Sequence, residues 1–322
     1  MRHAGCHSDA GMAPPVTQIL TFGDEAIDRA AELIRAGEPV AMPTETVYGL
    51  AADATNAQAV ARIYEAKGRP SFNPLIVHVL DVAAAKKLGV FDEQARALAE
   101  EHWPGPLTLV VPVRAGSGVA SLVTAGLDTI AIRVPAHPAM RALLKAVGRP
   151  LAAPSANASG RISPTRAAHV AESLDGRISL VIDGGPCERG IESTIVAATG
   201  GTLRLLRRGP IEIDAEEFQG AIEAPGMMVS HYAPGKPLRL DAKSAKAGEI
   251  LLGYGAVAGD LHLGDDPVTA AARLFDLMHQ ADSAPEPRIA VAPIPGDGLA
   301  AAIRDRLTRA AVPRRAAGRI SP

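Results

Sequence analysis

The sequence predicts a mixed α/β protein on three observations. Short apolar strands alternate with helical segments over most of the chain, which is typical of an α/β sheet. The later strands, at 178–182, 193–197 and 203–206, follow one another without helices, so we expect a mixed sheet and not a purely parallel one. After a stretch rich in Pro and Gly at 211–236, a smaller β-α-β-α pattern resumes.

The helices are predicted from apolar side chains at helical spacing. The first covers 24–36, with Asp24 as a plausible N-cap and Gly37 as its stop. The second covers 56–67 and is capped by Asn56. Further helices are predicted at 92–102, at 137–147, after a cap at Ser163 followed by Pro164, at 267–280 and at 297–310.

The strands are predicted from short apolar runs between turn residues. The remaining ones lie at 39–42, 75–80, 107–113, 130–134, 249–253 and 288–292. The domain division that follows is a tail at 1–15, a first domain at 16–210, a linker at 211–236 and a small α/β domain at 237–322.

Composition excludes several classes of protein. The net charge of -2 argues against a protein whose main task is to grip nucleic acid. Two cysteines, Cys6 and Cys187, match no zinc spacing and exclude a disulfide framework. No apolar run reaches the roughly 18 residues that span a bilayer, and the first residues lack the apolar stretch of a secretory signal. We therefore expect a cytoplasmic protein.

Polar side chains follow the predicted strands. Pro43–Leu50 places two threonines and a glutamate beside a glycine, which suits either a small-molecule site or a turn bonded to itself. Lys67 and Arg69 flank a glycine, as in a phosphate clamp, although cations also favour a helix C-terminus. Arg133 interrupts an apolar strand and should meet a carboxylate of the protein or of a ligand. His78, alone in such a strand, is usually a satisfied core residue.

The later loops offer further donors. The segment 153–160 can present N–H and hydroxyl groups to phosphate oxygens, or serve as a helix cap and turn. Ser193 lacks a serine-hydrolase elbow, so we interpret its hydroxyl as a binder. Arg207 belongs either to a solvated strand face or to a ligand contact. Several cations with no nucleophile or metal cluster favour nucleotidyl or phosphoryl transfer.

Six ordered segments carry a resemblance to a known family. They are PTETVYGL at 43–50, KGRPSFNPLIVH at 67–78, WPGPLT at 103–108, IAIRVP at 130–135, APSANASG at 153–160 and GIESTIV at 190–196. Together they resemble the YrdC-like threonylcarbamoyl-AMP synthases, and SHYAP at 230–234 resembles their long, two-domain form. The resemblance implies an open twisted mixed sheet with a large central concavity, plus a small Rossmann-like C-terminal domain.

The resemblance also implies an activity and its residues. The family makes L-threonylcarbamoyl-AMP from L-threonine, bicarbonate and ATP, with Mg2+ accompanying the nucleotide, and a transferase partner passes the group to tRNA next to the anticodon. The resemblance leaves open whether this protein also contacts tRNA directly and weakly. The threonine-site residues implied are Thr46, His78, Arg133, Ala153 and Ser193. The ATP-site residues implied are Lys67, Arg69, Asn73, Thr129, Ser155, Ser163, Arg207 and Tyr232.

The sequence leaves open two other functions and two roles for the linker. The same fold could bind double-stranded RNA, which the net charge of -2 disfavours. A carbamoyl transferase of hydrogenase maturation would need additional zinc-binding cysteines. The linker, with His231 and Tyr232 between the pairs Pro225-Gly226 and Pro234-Gly235, is expected to be a lid or else a passive tether.

Overall fold

The computed structural model describes residues 16–70, 72–218, 220, 223–225 and 230–312. The predicted tail at 1–15 lies outside the described residues, as does Gly226 of the linker. Among the described residues, none of the helices has both the length and the apolarity needed to cross a membrane.

Within these ranges, eleven strands form one twisted sheet. The strands are β1 Gln18–Thr21, β2 Val40–Met42, β3 Gly49–Asp53, β4 Ile76–His78, β5 Leu107–Pro112, β6 Thr129–Arg133, β7 Leu151–Ala152, β8 Leu180–Asp183, β9 Thr194–Ala197, β10 Arg204–Arg207 and β11 Glu216–Glu217. Their spatial order is β1-β8-β2-β3-β7-β4-β6-β5-β9-β10-β11.

The sheet is mixed, as predicted. β4 is parallel to β6 and β5 is parallel to β9, whereas β5 pairs antiparallel with β6. The β4–β6 register sets His78 directly beside Arg133. Two side chains that are 55 positions apart in sequence therefore reach the same end of neighbouring strands.

Helices cover this sheet and add the apolar side chains of its core. In the first part of the chain they are α1 Asp24–Arg35, α2 Ala57–Lys67, α3 Val82–Leu88, α4 Glu93–His102, α5 Ser121–Thr124, α6 Pro138–Val147 and α7 Ala167–Leu174. The cap at Asn56 is confirmed, since its side chain accepts from the N–H groups of Gln58 and Ala59. The cap at Asp24 is wrong, because α1 begins at that residue after Gly23.

The helix start predicted at Ser163 is also wrong. α7 begins only at Ala167, after the N-cap residue Arg166. Ser163 is fully buried, and its hydroxyl donates to the carboxylate of Glu192 instead of capping a helix. A short polar side chain followed by proline has the same sequence pattern in both cases, so only the tertiary partner distinguishes them.

The C-terminal unit is a second sheet with two helices. It comprises β12 Leu238–Arg239, β13 Glu249–Gly253, β14 Leu261–His262, β15 Arg288–Val291, α8 Pro267–Ser283 and α9 Leu299–Ala311. The four strands described here are all parallel, in the order β12-β15-β13-β14. Its apolar core continues into the first part of the chain through Val47, Ile162 and Ile191, and into the linker through Tyr232.

Part of the linker forms a strand that its composition does not predict. The Pro and Gly content of 211–236 predicts neither helix nor strand, but β11 lies there and pairs parallel with β10 at the edge of the large sheet. The domain boundaries at 210 and 236 stay predictions. The linker's last residues, from 230 onward, lie against the C-terminal unit, because the N–H of His231 donates to the carbonyl of Arg309.

Candidate active site

One cavity gathers most of the predicted site residues. Its walls come from the loop after β2, the end of α2, strands β4, β6 and β10, the segments beside β7 and β9, and the linker. The lining residues are Thr44, Thr46, Val47, Gly49, Arg69, Ile76, His78, Arg133, Ala153, Pro154, Ser155, Glu192, Ser193, Arg207, Pro225, His231 and Tyr232. Nine of the thirteen predicted site residues are in this set.

Four predicted residues do not line the cavity. Lys67 is buried beside it, and its ammonium donates to the carbonyl oxygens of Ser155 and Asn157. Asn73 contributes its backbone carbonyl, which accepts from Arg69 Nε at 3.3 Å. Thr129 begins β6, at the opposite end of the strand from Arg133 and so about 13 Å away along it.

Ser163, the fourth of these residues, acts on the cavity wall from behind. Its hydroxyl donates to Glu192 Oε1, and Glu192 itself lines the cavity. The structure therefore brings Lys67 and Ser163 to the supporting layer of the site, whereas Thr129 is not brought to it.

Arg133 meets a carboxylate of the protein. Its Nη2 donates to Glu45 Oε1 at 2.6 Å, its Nη1 to Thr46 Oγ1 at 2.9 Å and its Nε to the carbonyl of Gly105 at 3.2 Å. Burial alone would raise the pKa of the Glu45 carboxyl, but the guanidinium of Arg133 and hydrogen bonds from backbone N–H groups, including that of Ala136, together hold the pKa below its ordinary value. Glu45 is therefore ionised, and it fixes the guanidinium at the cavity wall.

His78 is not a satisfied core residue. Its imidazole lines the cavity, and Nδ1 is buried with no hydrogen-bond partner among the described residues. Burial and the neighbouring Arg133 lower the pKa of His78 to about 3, so the ring is neutral at neutral pH. A buried polar atom without a partner is rare in proteins, and here it is available to a ligand.

Three buried cations give the site its charge. Arg69 donates to the carbonyl oxygens of Asn73 and Pro74, and Arg207 donates to Ser193 and to the carbonyl of Pro225. Burial lowers the pKa of all three groups, Lys67, Arg69 and Arg207, and that of Arg69 falls to about 10. None of the three forms an ion pair with a carboxylate in the described part of the chain.

Buried charges normally have a partner of opposite sign, because their desolvation is costly. Three desolvated cations held by neutral carbonyl groups therefore mark a place for an anion that the protein does not supply. An anion with several charges, such as a polyphosphate, suits three cations better than a single carboxylate does.

Ser193 is held in a network of hydroxyl and guanidinium groups. Its Oγ lies 2.8 Å from Thr108 Oγ1 and accepts from Arg207 Nη2 at 3.1 Å. These contacts agree with a binding role for Ser193 and connect Thr108 of β5 with Arg207 of β10.

The linker closes one side of the cavity. Tyr232 is buried, with a backbone φ of 62°, and its ring packs 5.6 Å from that of Phe275 on α8. Its hydroxyl has no hydrogen-bond partner among the described atoms. The N–H of Ala233 donates to the carbonyl of Gly160, so the segment contacts both the large sheet's loops and the C-terminal unit.

Comparisons with known proteins agree with this geometry. A family model described as telomere recombination matches residues 32–209, and the model for the C-terminal domain of threonylcarbamoyl-AMP synthase matches 191–312. The chain belongs to the threonylcarbamoyl-AMP synthase family. The sequence-based predictions of the family, of the mixed α/β fold with a second C-terminal domain, and of the enzymatic function are confirmed.

Individual relatives cover most of the chain. A threonylcarbamoyl-AMP synthase of Bacillus subtilis is 47% identical over 241 residues, 70% of this chain and 69% of that protein. One of Pyrococcus abyssi is 39% identical over 316 residues, 87% of this chain and 92% of that protein. The crystal structure of P. abyssi Sua5 complexed with L-threonine superposes with a TM-score of 0.83 at 36% identity, over 92% of this chain and 97% of that one.

Several residues of this synthase site were not assigned roles from the sequence. Glu45 and Glu192 lie within segments typical of the family, but nothing in the sequence identified their partners. Thr108 ends the segment WPGPLT, and a threonine in an otherwise apolar strand was the available signal. Arg306, on α9 of the C-terminal unit, gave no signal at all.

Proposed function

We propose that this protein synthesises L-threonylcarbamoyl-AMP from L-threonine, bicarbonate and ATP and releases pyrophosphate. It is thus a nucleotidyltransferase whose product serves threonylcarbamoyladenosine modification of tRNA. The observation that carries the proposal is the cavity itself. Arg69 and Arg207 line it together with the Arg133–Thr46 pair, and Lys67 is buried beside it. These three cations form no ion pair with a carboxylate among the described residues. One end of the cavity suits the phosphates of a nucleotide, and the other suits the polar groups of an amino acid.

The threonine end is built on Arg133. Glu45 occupies one guanidinium nitrogen, and Thr46 accepts from the other. An incoming α-carboxylate would compete with Thr46 for Nη1, which leaves the Thr46 hydroxyl to bind the amino acid. Neutral His78 would receive a donor at Nδ1, while Ala153 would offer its backbone and Ser193 its hydroxyl.

The nucleotide end is built on Arg69 and Arg207, with Ser155 beside them in the wall. Lys67 would act chiefly by ordering the loop of Ser155, whose carbonyl it binds. Asn73 would act through the backbone that holds Arg69. Thr129 gains no support for a role here, because it lies at the far end of β6.

The reaction proposed has two steps. The unprotonated amine of threonine forms a C–N bond to carbon dioxide and loses a proton, or to bicarbonate with loss of water, and either route gives a carbamate. A carbamate oxygen then forms a bond to the α-phosphorus of ATP in line with the bond that breaks, and pyrophosphate leaves with the electron pair. Arg69 and Arg207 would stabilise the charge that develops on the phosphate oxygens. Both the carbamate and the mixed anhydride hydrolyse readily, so the linker cover has a clear use in excluding water.

Magnesium enters this proposal as part of the substrate, MgATP. Across the described ranges, no group of three or more His, Cys, Asp or Glu side chains could hold a metal ion. Mg2+ commonly relies on substrate phosphates for its ligands, so the nucleotide itself would carry the ion into the cavity.

The test is a pyrophosphate-release assay with purified protein. Release should require L-threonine, bicarbonate and ATP together. L-Serine lacks one methyl group, worth about 1–3 kcal/mol, so its turnover should be roughly 10- to 200-fold lower. Equal release with serine, or release without bicarbonate, would contradict the proposed reaction. The alternative, a double-stranded RNA-binding module, is not favoured by relatives named as synthases.

The product's chemistry implies a partner. A mixed anhydride that hydrolyses in water must be passed quickly to an acceptor, so we propose a transferase that delivers the group to tRNA. A direct contact with tRNA and a cytoplasmic location are part of the same proposal.

A further inference from the structure

Arg306 of α9 is a fully buried arginine that reaches from the C-terminal unit to the cavity wall. Its Nε donates to Glu192 Oε2 at 3.1 Å, and its Nη1 donates to the carbonyl of Arg208 at 2.6 Å. Its Cζ lies 5.6 Å from the centroid of the Tyr232 ring. A fully buried arginine needs a partner. Besides Asp305 on its own helix, at 3.3 Å, this one has the carboxylate of Glu192 and the aromatic face of Tyr232 in the cavity wall.

The contact between Arg306 and Glu192 affects the cavity because Glu192 lines it. Glu192 is the one carboxylate among the described residues that line the cavity. Its Oε1 accepts from Ser163, and the next residue, Ser193, binds Arg207. Without a counter-charge, this carboxylate would repel the phosphates of a nucleotide, because a buried protein wall screens charge much less than water does.

We propose that Arg306 is a positioning residue for the nucleotide site. It neutralises and orients Glu192 and supports the ring of Tyr232, so ATP binding depends on a side chain from the C-terminal unit. The proposal rests on the proposed function, because it takes ATP as the ligand of the cavity. It gives the C-terminal unit a direct part in the site beyond that of anchoring the linker.

The test measures equilibrium binding of ATP, and separately of L-threonine, to the full chain by titration calorimetry. Arg306→Met should weaken ATP binding about tenfold or more, as expected when one partner of a buried charge pair is removed. L-Threonine binding should change much less. Arg304→Met is the matched control, because Arg304 lies on the same helix and donates to Ile294 within the C-terminal unit.

The double variant Arg306→Met/Glu192→Gln separates charge from packing. If Arg306 acts by neutralising Glu192, removing both charges should restore ATP binding to within about threefold of wild type, because the two effects are coupled. A merely structural Arg306 would leave the double variant as weak as Arg306→Met, which would overturn the proposal. Arg306→Lys, which keeps the charge without the fork, should recover part of the affinity.

Two further results complete the test. If Arg306→Met does not fold, Glu192→Gln alone decides: it should bind ATP more tightly than wild type, and weaker binding would refute the neutralising role. If wild-type protein binds no ATP, the proposed function fails. If wild type binds ATP and Arg306→Met binds it equally well, only the role of Arg306 fails.

Discussion

Two buried arginines in one cavity should respond in opposite ways when their charge is removed. Arg133 lies 2.6 Å from the carboxylate of Glu45, so it is half of a buried ion pair. Arg69 donates to the backbone carbonyls of Asn73 and Pro74 and interacts with the hydroxyl of Tyr64, and it forms no ion pair with a described carboxylate. We predict that Arg133→Met lowers the stability of the protein and that Arg69→Met leaves it unchanged or raises it.

The magnitudes follow from the environment of each charge. Arg133→Met leaves Glu45 buried and unpaired, which costs about 3–5 kcal/mol. Burial lowers the pKa of Arg69 from 12.5 to about 10, so keeping it charged costs the folded state about 3 kcal/mol at every pH below both values. Methionine removes that cost and also two hydrogen bonds. The free energy of unfolding should therefore rise by anything from nothing to about 3 kcal/mol.

Thermal or urea unfolding of the two variants measures this difference. For a domain of 150–250 residues, about 1 kcal/mol moves Tm by roughly 2–4 °C, so the two variants should differ by well over 5 °C. Arg29→Met is the control, since Arg29 is exposed on α1. Equal losses of stability in both variants would refute the idea that Arg69 is held at a cost for the sake of a ligand.

Three more predictions follow from the site. Arg69→Lys should regain only part of the ATP affinity that Arg69→Ala loses, as measured by calorimetry, because lysine lacks the bidentate fork; full recovery would count against phosphate binding by Arg69. The pKa of Glu45 is depressed below its ordinary value of 4.5 in the folded protein, so its stabilising effect should be lost as the pH falls below 4.5 and through the folded value. The free energy of unfolding of Glu45→Gln should therefore depend less on pH in this range than that of wild type. An unchanged pH dependence would exclude this role. Tyr232→Ala should release more pyrophosphate per captured adenylate, and ATP with threonine should protect 211–236 from limited proteolysis if the linker is a lid; cutting that ligands do not affect, together with normal adenylate capture, would leave it a passive tether.

The sequence predicts helices better than it predicts the short strands of this fold. α2, α4 and α6 each lie within two residues of their predicted bounds, because apolar spacing and caps mark them. β3 was missed since all five of its residues are buried, so Gly49–Asp53 shows no alternation and contains two alanines. β7 has only two residues, which is too short for any periodic signal.

Most of the predicted site residues share one cavity, but the contacts between them could not be predicted from the sequence. Eight of the nine predicted residues that line the cavity lie in the segments that carry the family resemblance, as does Lys67 behind it, whereas Arg207 and Ser163 lie outside those segments. Partners such as Glu45 for Arg133 and Arg306 for Glu192 are 88 and 114 positions apart. Such pairs depend on strand register and on how the C-terminal unit packs, and neither leaves a local pattern.

If the linker is a lid, as predicted, the backbone of Tyr232 gives a physical reason why it could open as well as close. A non-glycine residue at a φ of 62° is strained by roughly 1–3 kcal/mol and persists only where its surroundings hold it. Here the ring is held by Phe275 and Arg306, which the C-terminal unit supplies. Releasing the segment would relieve the strain and lose those contacts, so the closed and open states can lie close in free energy. A cover over a reaction that must admit ATP and release pyrophosphate needs this balance, and a linker attached to the large sheet alone would lack the contacts that provide it.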